Sequence, residues 1–406
     1  MTYREALAWL FGTQLFGIKL GLENIQRLLG ALDIPRPNEK IVHVAGTNGK
    51  GSVCAMIDSI VRAGGYRSGL FTSPHLVTFR ERIRVNGEMI TEAETCDGLS
   101  MIRETVRDWD PHPTFFEIVT ALGLHHFHQQ QCEIIILETG MGGRLDATNA
   151  ITPVVSVITP IDLDHQKWLG ETISDIAAEK AGIIKVRVPV VAAPQLPEAE
   201  AILRQRALEH LAPIEFVSGE FSDGTMALPG AHQRSNATLA LAALGAANIA
   251  FDRDAVREGL ANVRWPARFQ IWDERTVIDG AHNPAGARTL ARTWRENFGD
   301  EKATLVLGIF GDKDAAAIYR ELVPITGRVI LTNFRGGRVL PAAELAAIIT
   351  SVTPTMPHAI ASDPAEALHL ARETNGRVLI AGSLHLAGEV LALLQSQPAA
   401  FEECAQ

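Results

Sequence analysis

Cysteine is scarce in this chain: four in 406 residues, at Cys54, Cys96, Cys132 and Cys404, with no C-x-x-C spacing among them. That excludes a disulfide framework or a cysteine-based zinc site as the organising principle and suits a reducing compartment. No run of ~18 apolar residues is present to cross a membrane. The richest stretch, 239–251, is alanine-rich and reads as a buried helix. Met1-Thr2-Tyr3-Arg4-Glu5 puts no basic stretch before an apolar segment, so no secretory signal is expected and the cytoplasm is the expected location. Basic charge is in deficit: 37 Lys and Arg against 47 Asp and Glu leave a net charge of −10. Nucleic-acid binding, which rests on neutralising phosphates, is therefore not expected. An anionic small substrate remains compatible, because a local basic site can sit in an acidic protein. Internal repeats, low-complexity tracts and a G-x-S-x-G nucleophile elbow are missing as well.

The chain is long for one core, since compact domains hold ~100–200 residues. With 47% hydrophobic and 21% charged residues it can bury a sizeable core and keep a polar surface. Apolar runs at 41–45, 134–138, 154–159 and 188–192, then at 276–279, 304–308, 328–332 and 378–381, alternate with helical patterns. Strands alternating with helices predict parallel α/β sheets covered on both faces. The seam falls near 262–268, where a helical stretch ends and Pro266 interrupts. The expected fold is α/β: a P-loop ATPase-like domain with a mostly parallel sheet over 1–264, and a smaller Rossmann-like α/β domain over 265–406. The active site is expected in the cleft between them.

The strand 41–45 runs into Gly46-Thr47-Asn48-Gly49-Lys50-Gly51-Ser52, and Val53, Met56, Ile57, Ile60 and Val61 then recur at helical spacing. Glycines let backbone N–H groups face an anion, and the helix start adds positive potential. Lys50 is placed to reach terminal phosphates and Ser52 a magnesium ion. The common pattern G-x-x-x-x-G-K-[ST] is not met: its first glycine would fall at Val44, and Gly51 separates Lys50 from Ser52.

This compact G-T-N-G-K-G-S loop resembles that of the Mur ligase superfamily, and in its last three residues the folate branch, folylpolyglutamate synthase/dihydrofolate synthase. Further blocks are similar to that family in the same order. They are Phe16-Gly17-Ile18-Lys19-Leu20-Gly21-Leu22, Ser73-Pro74-His75-Leu76, Glu81-Arg82-Ile83-Arg84 and Glu138-Thr139-Gly140-Met141-Gly142-Gly143-Arg144-Leu145-Asp146-Ala147-Thr148-Asn149. Trp265-Pro266-Ala267-Arg268 resembles a W-P-G-R block, with Ala267 where glycine is usual. Gly382-Ser383-Leu384-His385 is similar to G-S-L-Y, with His385 where an aromatic is frequent.

The resemblance implies an ATP-dependent ligase that adds L-glutamate to a folate tail or to dihydropteroate, with ATP, magnesium at two sites and a monovalent cation. It also implies a monomer; a seam at Pro266 suits closure of the two domains on the substrates as the expected motion. Gly46, Thr47, Asn48, Gly49, Lys50, Gly51 and Ser52 would hold ATP with Gln233, Asn236, Arg268, Asp279 and His282. Gln233 and Asn236, three apart, can share one side of a first helical turn. Metal would be held by Ser52, Ser73, Glu117, His165 and Lys180, the last as a carbamate; Lys50, Lys180, Arg268 and His165 would serve catalysis. Substrate would meet Ser73, Arg82, Arg144, Asp146, Thr148, Asn149 and Ser383. On residue chemistry alone, carboxylates suit magnesium better than His165 does. A carbamate needs a neutral amine, so burial must lower Lys180 from its ordinary ~10.4. The trio His125, His126 and His128 lacks the i, i+4 zinc spacing and reads as packing or surface. A Mur-type peptidoglycan ligase is the alternative, followed by a P-loop phosphotransferase and a non-catalytic nucleotide binder.

Overall fold

The computed structural model describes residues 1–16, 21–34, 39–397 and 401–402. Residues 17–20 of the N-terminal block and Cys404 lie outside them. Two compact units emerge: Met1–Ser73, Arg80–Ala227 and Gln233–Val263 form the first, and Pro74–Phe79, Leu228–His232 and Arg264–Gln406 the second. The helix Arg253–Asn262 closes the last segment of the first unit, and the long segment of the second unit opens at Arg264. The two short excursions are not readable along the chain. Leu76 and Val77, for example, pack on a cluster built around Val306, Ile330 and Val390, far away in sequence.

In the first unit the strands are β1 (Lys40–Ala45), β2 (Ser68–Phe71), β3 (Ile83–Val85), β4 (Glu88–Met89), β5 (Ile134–Glu138), β6 (Val155–Ile158), β7 (Val190–Ala192) and β8 (Ile214–Phe216). They form one sheet in the order β4-β3-β2-β5-β1-β6-β7-β8, parallel from β2 to β8, with β3 and β4 antiparallel at one edge. The runs Ile134–Glu138 and Val155–Ile158 are buried throughout, as strands covered on both faces must be. From β1 the chain builds β2 and β5 to one side and then returns to lay β6 on the other. The turns that leave β1, β5 and β6 therefore crowd together at a topological switch point, where open α/β sheets take their ligands.

The helices are punctuated by side-chain caps. Thr91 with Glu94, Thr114 with Glu117 and Thr172 with Asp175 each form a reciprocal capping box. The helix Lys50–Ala63 that follows β1 is buried from Gly51 to Val61. The helix Arg253–Asn262 presses on it so closely that a Cβ on Gly259 would lie 2.6 Å from Ile60 Cα, and Ser59 Oγ donates to Gly259 O at 2.8 Å.

In the second unit β9 (Gln270–Ile271), β10 (Thr276–Ile278), β11 (Ala303–Leu307), β12 (Thr326–Thr332), β13 (His358–Ala361) and β14 (Val378–Ala381) are ordered β13-β12-β11-β14-β10-β9, parallel except for β9. Alternate residues of β11 feed opposite faces: Leu305 and Leu307 join Trp294 and Leu331, whereas Val306 joins Ile330 and Leu386. Every strand run read from the sequence is a strand here. The strands it missed, β2, β3, β4, β8, β9 and β13, are all short, two to four residues each. Cys54, Cys96 and Cys132 are free thiols, as the spacing implied. No helix among the described residues is long and apolar enough to cross a membrane.

Gly259→Ala is expected to destabilise the first unit by about 1–3 kcal/mol, because the new methyl meets helix backbone rather than a movable side chain. The urea midpoint of the unfolding transition checks this; an unchanged midpoint would show that the two helices can part at no cost.

Candidate active site

From the end of β1 the chain turns through Gly46 to Gly49 and enters the helix Lys50–Ala63. Gly46 has φ +148, and a Cβ there would lie 1.9 Å from Thr159 Oγ1. Gly49 occupies the helix N-cap at φ +92, with Asn236 Oδ1 2.9 Å from where its Cβ would be. Both positions demand glycine for conformation and for space. Thr47 Oγ1 donates to Asp162 O and accepts from Asp162 N, each at 3.0 Å, and the Thr47 amide donates to Pro160 O at 3.0 Å. The turn leaving β6 thus holds the loop in shape.

No side chain caps the helix Lys50–Ala63, and no acid sits in its first turn. Every capping box described above belongs to another helix. An uncapped, buried helix start concentrates positive potential where the glycine turn opens. Two ammonium groups add to it. Lys50 Nζ donates to Gly46 O at 3.2 Å, and Lys180 Nζ, from the helix Ile173–Ala181, donates to the same carbonyl at 2.7 Å. Burial, helped by the Lys50 charge, brings the Lys180 amine down to about 7, against the opposing pull of Asp164 and Asp146. The neutral amine that carbamate chemistry requires is therefore accessible near neutrality. Thr159 Oγ1 and Thr139 Oγ1, at the exits of β6 and β5, are buried without a hydrogen-bond partner.

Gln233 and Asn236 share one side of their helix's first turn, as their spacing suggested, and that side meets this loop. Asn236 Nδ2 donates to Gln233 Oε1 at 3.0 Å, and Gln233 Nε2 donates to Ser52 Oγ at 3.3 Å. The block 138–149 is drawn inward. Asp146 accepts from the amides of Gly140 (2.9 Å), Met141 (3.0 Å) and Thr148 (3.0 Å) and from the Thr148 hydroxyl. Burial raises the Asp146 pKa, and these donors oppose the shift. With its hydrogen committed to Asp146, Thr148 Oγ1 can only accept from His43 Nε2, 2.8 Å away in the centre of β1. That assigns the Nε2–H tautomer to an imidazole that burial pulls down to about 3 and so keeps neutral. Asn149 Nδ2 donates to Arg144 O and Gly182 O, while Arg144 pairs with Glu179 at 2.7 Å. Gly142 turns at φ +68, and Gly143 and Gly182 let the turn mesh with the Lys180 helix. A Cβ on Gly182 would lie 2.3 Å from Arg144 Cα.

Other predicted residues are engaged locally. Glu117 Oε2 accepts from the Thr114 amide (2.7 Å) and hydroxyl (2.9 Å). The Ser73 amide donates to Glu138 Oε2 at 3.1 Å, and Arg82, fully buried, lays its guanidinium 5.5 Å from the Phe115 ring centre. His165 is exposed, in a left-handed conformation (φ 51), with its amide on Asp164 Oδ1. Among the described residues no group of three or more His, Cys, Asp and Glu is placed to hold a metal, the histidine trio included. Neither Glu138, inside the block 138–149, nor Asp164, beside His165, was marked out by the sequence; their position at strand exits is the signal that points to them.

In the second unit Asp279 Oδ2 accepts from Phe269 N (2.7 Å) and Oδ1 from Ala281 N (2.8 Å); burial raises its pKa, opposed by Arg268. His282 Nδ1 donates to Gly280 O at 2.8 Å. Ala267, standing where the resembled block has glycine, adopts φ +56 and is fully buried, so packing of its methyl offsets the left-handed strain. Ser383 caps the helix Leu384–Leu394, its Oγ accepting from the His385 amide at 3.1 Å.

A glycine turn under an uncapped helix start, backed by two lysines at the head of a parallel sheet, defines a nucleotide-dependent α/β enzyme. Comparison with known families is specific. Residues 44–192 match the Mur ligase middle domain, and 267–384 match the Mur ligase, glutamate ligase domain. The dihydrofolate synthase/folylpolyglutamate synthase of Bacillus subtilis is 35% identical, over 96% of this chain and 98% of its own. Among solved structures, Escherichia coli FolC in complex with DHPP and ADP superposes with a TM-score of 0.86 at 30% identity, covering 96% of this chain and 98% of that one. The Yersinia pestis bifunctional folylpolyglutamate synthase/dihydrofolate synthase complexed with AMPPNP and Mn ion gives 0.86 at 31%, covering 97% and 98%. The chain belongs to the folylpolyglutamate synthase/dihydrofolate synthase branch of the Mur ligase family, and so to the ATP-dependent ligases.

Lys180 carries a testable pH signature. Its folded pKa, about 7, lies below its unfolded value of ~10.4, so between these limits the unfolded chain binds the proton and the folded chain does not. Stability should therefore rise from about pH 7 to about pH 9 in bicarbonate-free buffer, and Lys180→Met should show a shallower rise. Urea midpoints of both proteins at the two pH values measure it; equal slopes would contradict a depressed Lys180.

Proposed function

We propose that the chain joins the amine of L-glutamate to the carboxylate of dihydropteroate or of a folate γ-glutamyl tail, with ATP as the energy source. The observation that carries the reading is the convergence of the uncapped helix start, Lys50 and Lys180 on the Gly46 turn. Positive potential from the helix start and Lys50 meets small residues there, which suits the phosphates of a nucleotide. The ligands named with the relatives, ADP and AMPPNP with manganese, and DHPP, are the classes expected here. The relatives' names favour folate chemistry over a peptidoglycan precursor.

Amide formation in water needs an activated acyl group. A carboxylate oxygen attacks the γ-phosphorus, the bond to ADP breaks, and an acyl phosphate results. The glutamate amine then attacks the acyl carbon, phosphate leaves, and the nitrogen loses a proton. Gly46, Thr47, Asn48, Gly49, Gly51 and Ser52 would cradle the phosphates, Lys50 would stabilise the transferred group, and Gln233 and Asn236 would support the cradle. Arg268, Asp279 and His282 are read as further nucleotide residues, and Ser383 as serving glutamate. Ser73, Arg82 and Arg144 are read on the pterin side, with Asp146, Thr148 and Asn149 shaping the turn there. The donors suit a cation shared with nucleotide oxygens rather than a closed cage, because the buried Ser52 hydroxyl offers one ligand at the loop. Bound there by Ser52, Ser73, Glu117, His165 and a carbamylated Lys180, magnesium would neutralise phosphate charge. The protein is read as a cytoplasmic monomer.

Phosphate release with Mg-ATP, L-glutamate and either dihydropteroate or tetrahydrofolate tests the activity. Turnover should require glutamate and one pterin, and Lys50→Ala should lower kcat by about 10²–10³-fold. Glutamate-independent hydrolysis that neither pterin stimulates would sink the reading. Carbon-13 bicarbonate should give a protein-bound carbamate resonance that Lys180→Met lacks. A bare Lys180 in active, bicarbonate-treated enzyme would remove the carbamate.

A further inference from the structure

Between β2 and β3 the chain makes an excursion closed at its neck by Thr72 N donating to Arg82 O at 3.0 Å. Ser73 and Arg82, both read above as substrate residues, are its two ends. Its tip, Pro74–Phe79, is counted with the second unit. A loop of this kind exposes backbone groups that need partners once buried, and Phe79 is fully buried. The partner comes from the other end of the chain. Glu402 N donates to Val77 O at 2.7 Å, and His75 Nε2 donates to Glu402 O at 2.9 Å. Its carboxylate oxygen Oε2 accepts from the Phe79 amide at 2.6 Å and from Thr78 Oγ1 at 3.1 Å. One residue therefore makes four hydrogen bonds with four residues of one short loop, donating one through its amide and accepting three through its carbonyl and side chain.

The grip has support on both sides. Phe401, just before Glu402, is buried, with the Arg335 guanidinium 5.6 Å from its ring centre. Under the tip, Gly388 of the helix Leu384–Leu394 admits Leu76 O so closely that a Cβ would lie 1.9 Å from it. Residues 401–402 fall beyond the 267–384 stretch that matches the glutamate ligase domain.

We infer that Glu402 is a positioning residue: a C-terminal strap that holds the 74–79 loop so that Ser73 and Arg82 present a fixed face to the pterin substrate. The inference rests on the folate-ligase reading for the identity of that substrate, whereas the strap itself does not. It touches no reacting atom and acts only through the loop.

Two measurements on the full chain decide it, using Glu402→Ala and Glu402→Gln. Hydrogen exchange of a peptide covering 74–82 should show the Phe79 amide exchanging about tenfold faster in Glu402→Ala. Glu402→Gln, whose carbonyl oxygen still accepts, should stay near wild type. In steady-state kinetics Glu402→Ala should raise KM for the pterin about fivefold to tenfold and leave KM for ATP within about twofold, with Glu402→Gln restoring most of the loss. Unchanged Phe79 exchange in Glu402→Ala would overturn the strap. Faster exchange with an unmoved pterin KM, or with KM for ATP rising equally, would overturn its positioning role. A wild-type protein that turned over no pterin would defeat the folate reading and the substrate role, while the exchange data would still decide the strap.

Discussion

Two lysine ammoniums share the carbonyl of Gly46, one from the helix that the loop enters and one from a helix more than a hundred residues further on. Burial first, and the repulsion between these like charges second, bring the Lys180 amine down to about 7. The loop geometry, the uncapped helix start and the burial of the Lys180 helix all bear on that one point. A polyanionic ligand or a change of charge on Lys180 would relieve the same repulsion.

The turn after β5 shows a different economy. Its polar side chains look outwardly like a ligand-binding set, yet much of their hydrogen-bonding capacity goes to the turn itself. Asp146 takes three backbone amides and a hydroxyl, Asn149 spends its amide on two carbonyls, and Arg144 pairs with Glu179. Beneath them His43 stays neutral and donates through Nε2, fixing the Thr148 rotor. Rigid turns of this kind hold a site's shape against solvent competition, since each buried polar group that lost its partner would cost ~1–3 kcal/mol. The same economy operates at the 74–79 loop, with Glu402 as the distant partner.

The candidate loop was legible in order along the chain. Gly46 to Ser52 announce themselves because a strand, a glycine turn, a lysine and a helix must be contiguous to work. For Gln233 and Asn236 a three-residue spacing showed only a shared helix side, not that they chain to Ser52. The short edge strands were not: β3, β4 and β13 lie at or beside a sheet edge and are only partly buried, so no continuous apolar run marks them. Ala267 looked like a departure from the expected glycine. Its left-handed backbone shows why glycine is usual there, and its burial shows how a methyl is tolerated.

By itself the sequence determined the local grammar: which runs are strands, where the anion loop lies, which family the blocks resemble, and that neither cysteine nor basic charge organises the molecule. These follow from contiguous residues and short-range sterics. Only the tertiary structure decided that Lys180 is buried on Gly46, that His43 supports Asp146 through Thr148, and that Glu402 reaches back to grip Phe79. Each of these joins residues distant in the chain, and burial and hydrogen-bond completion, which act between such residues, exist only once the sheets are assembled.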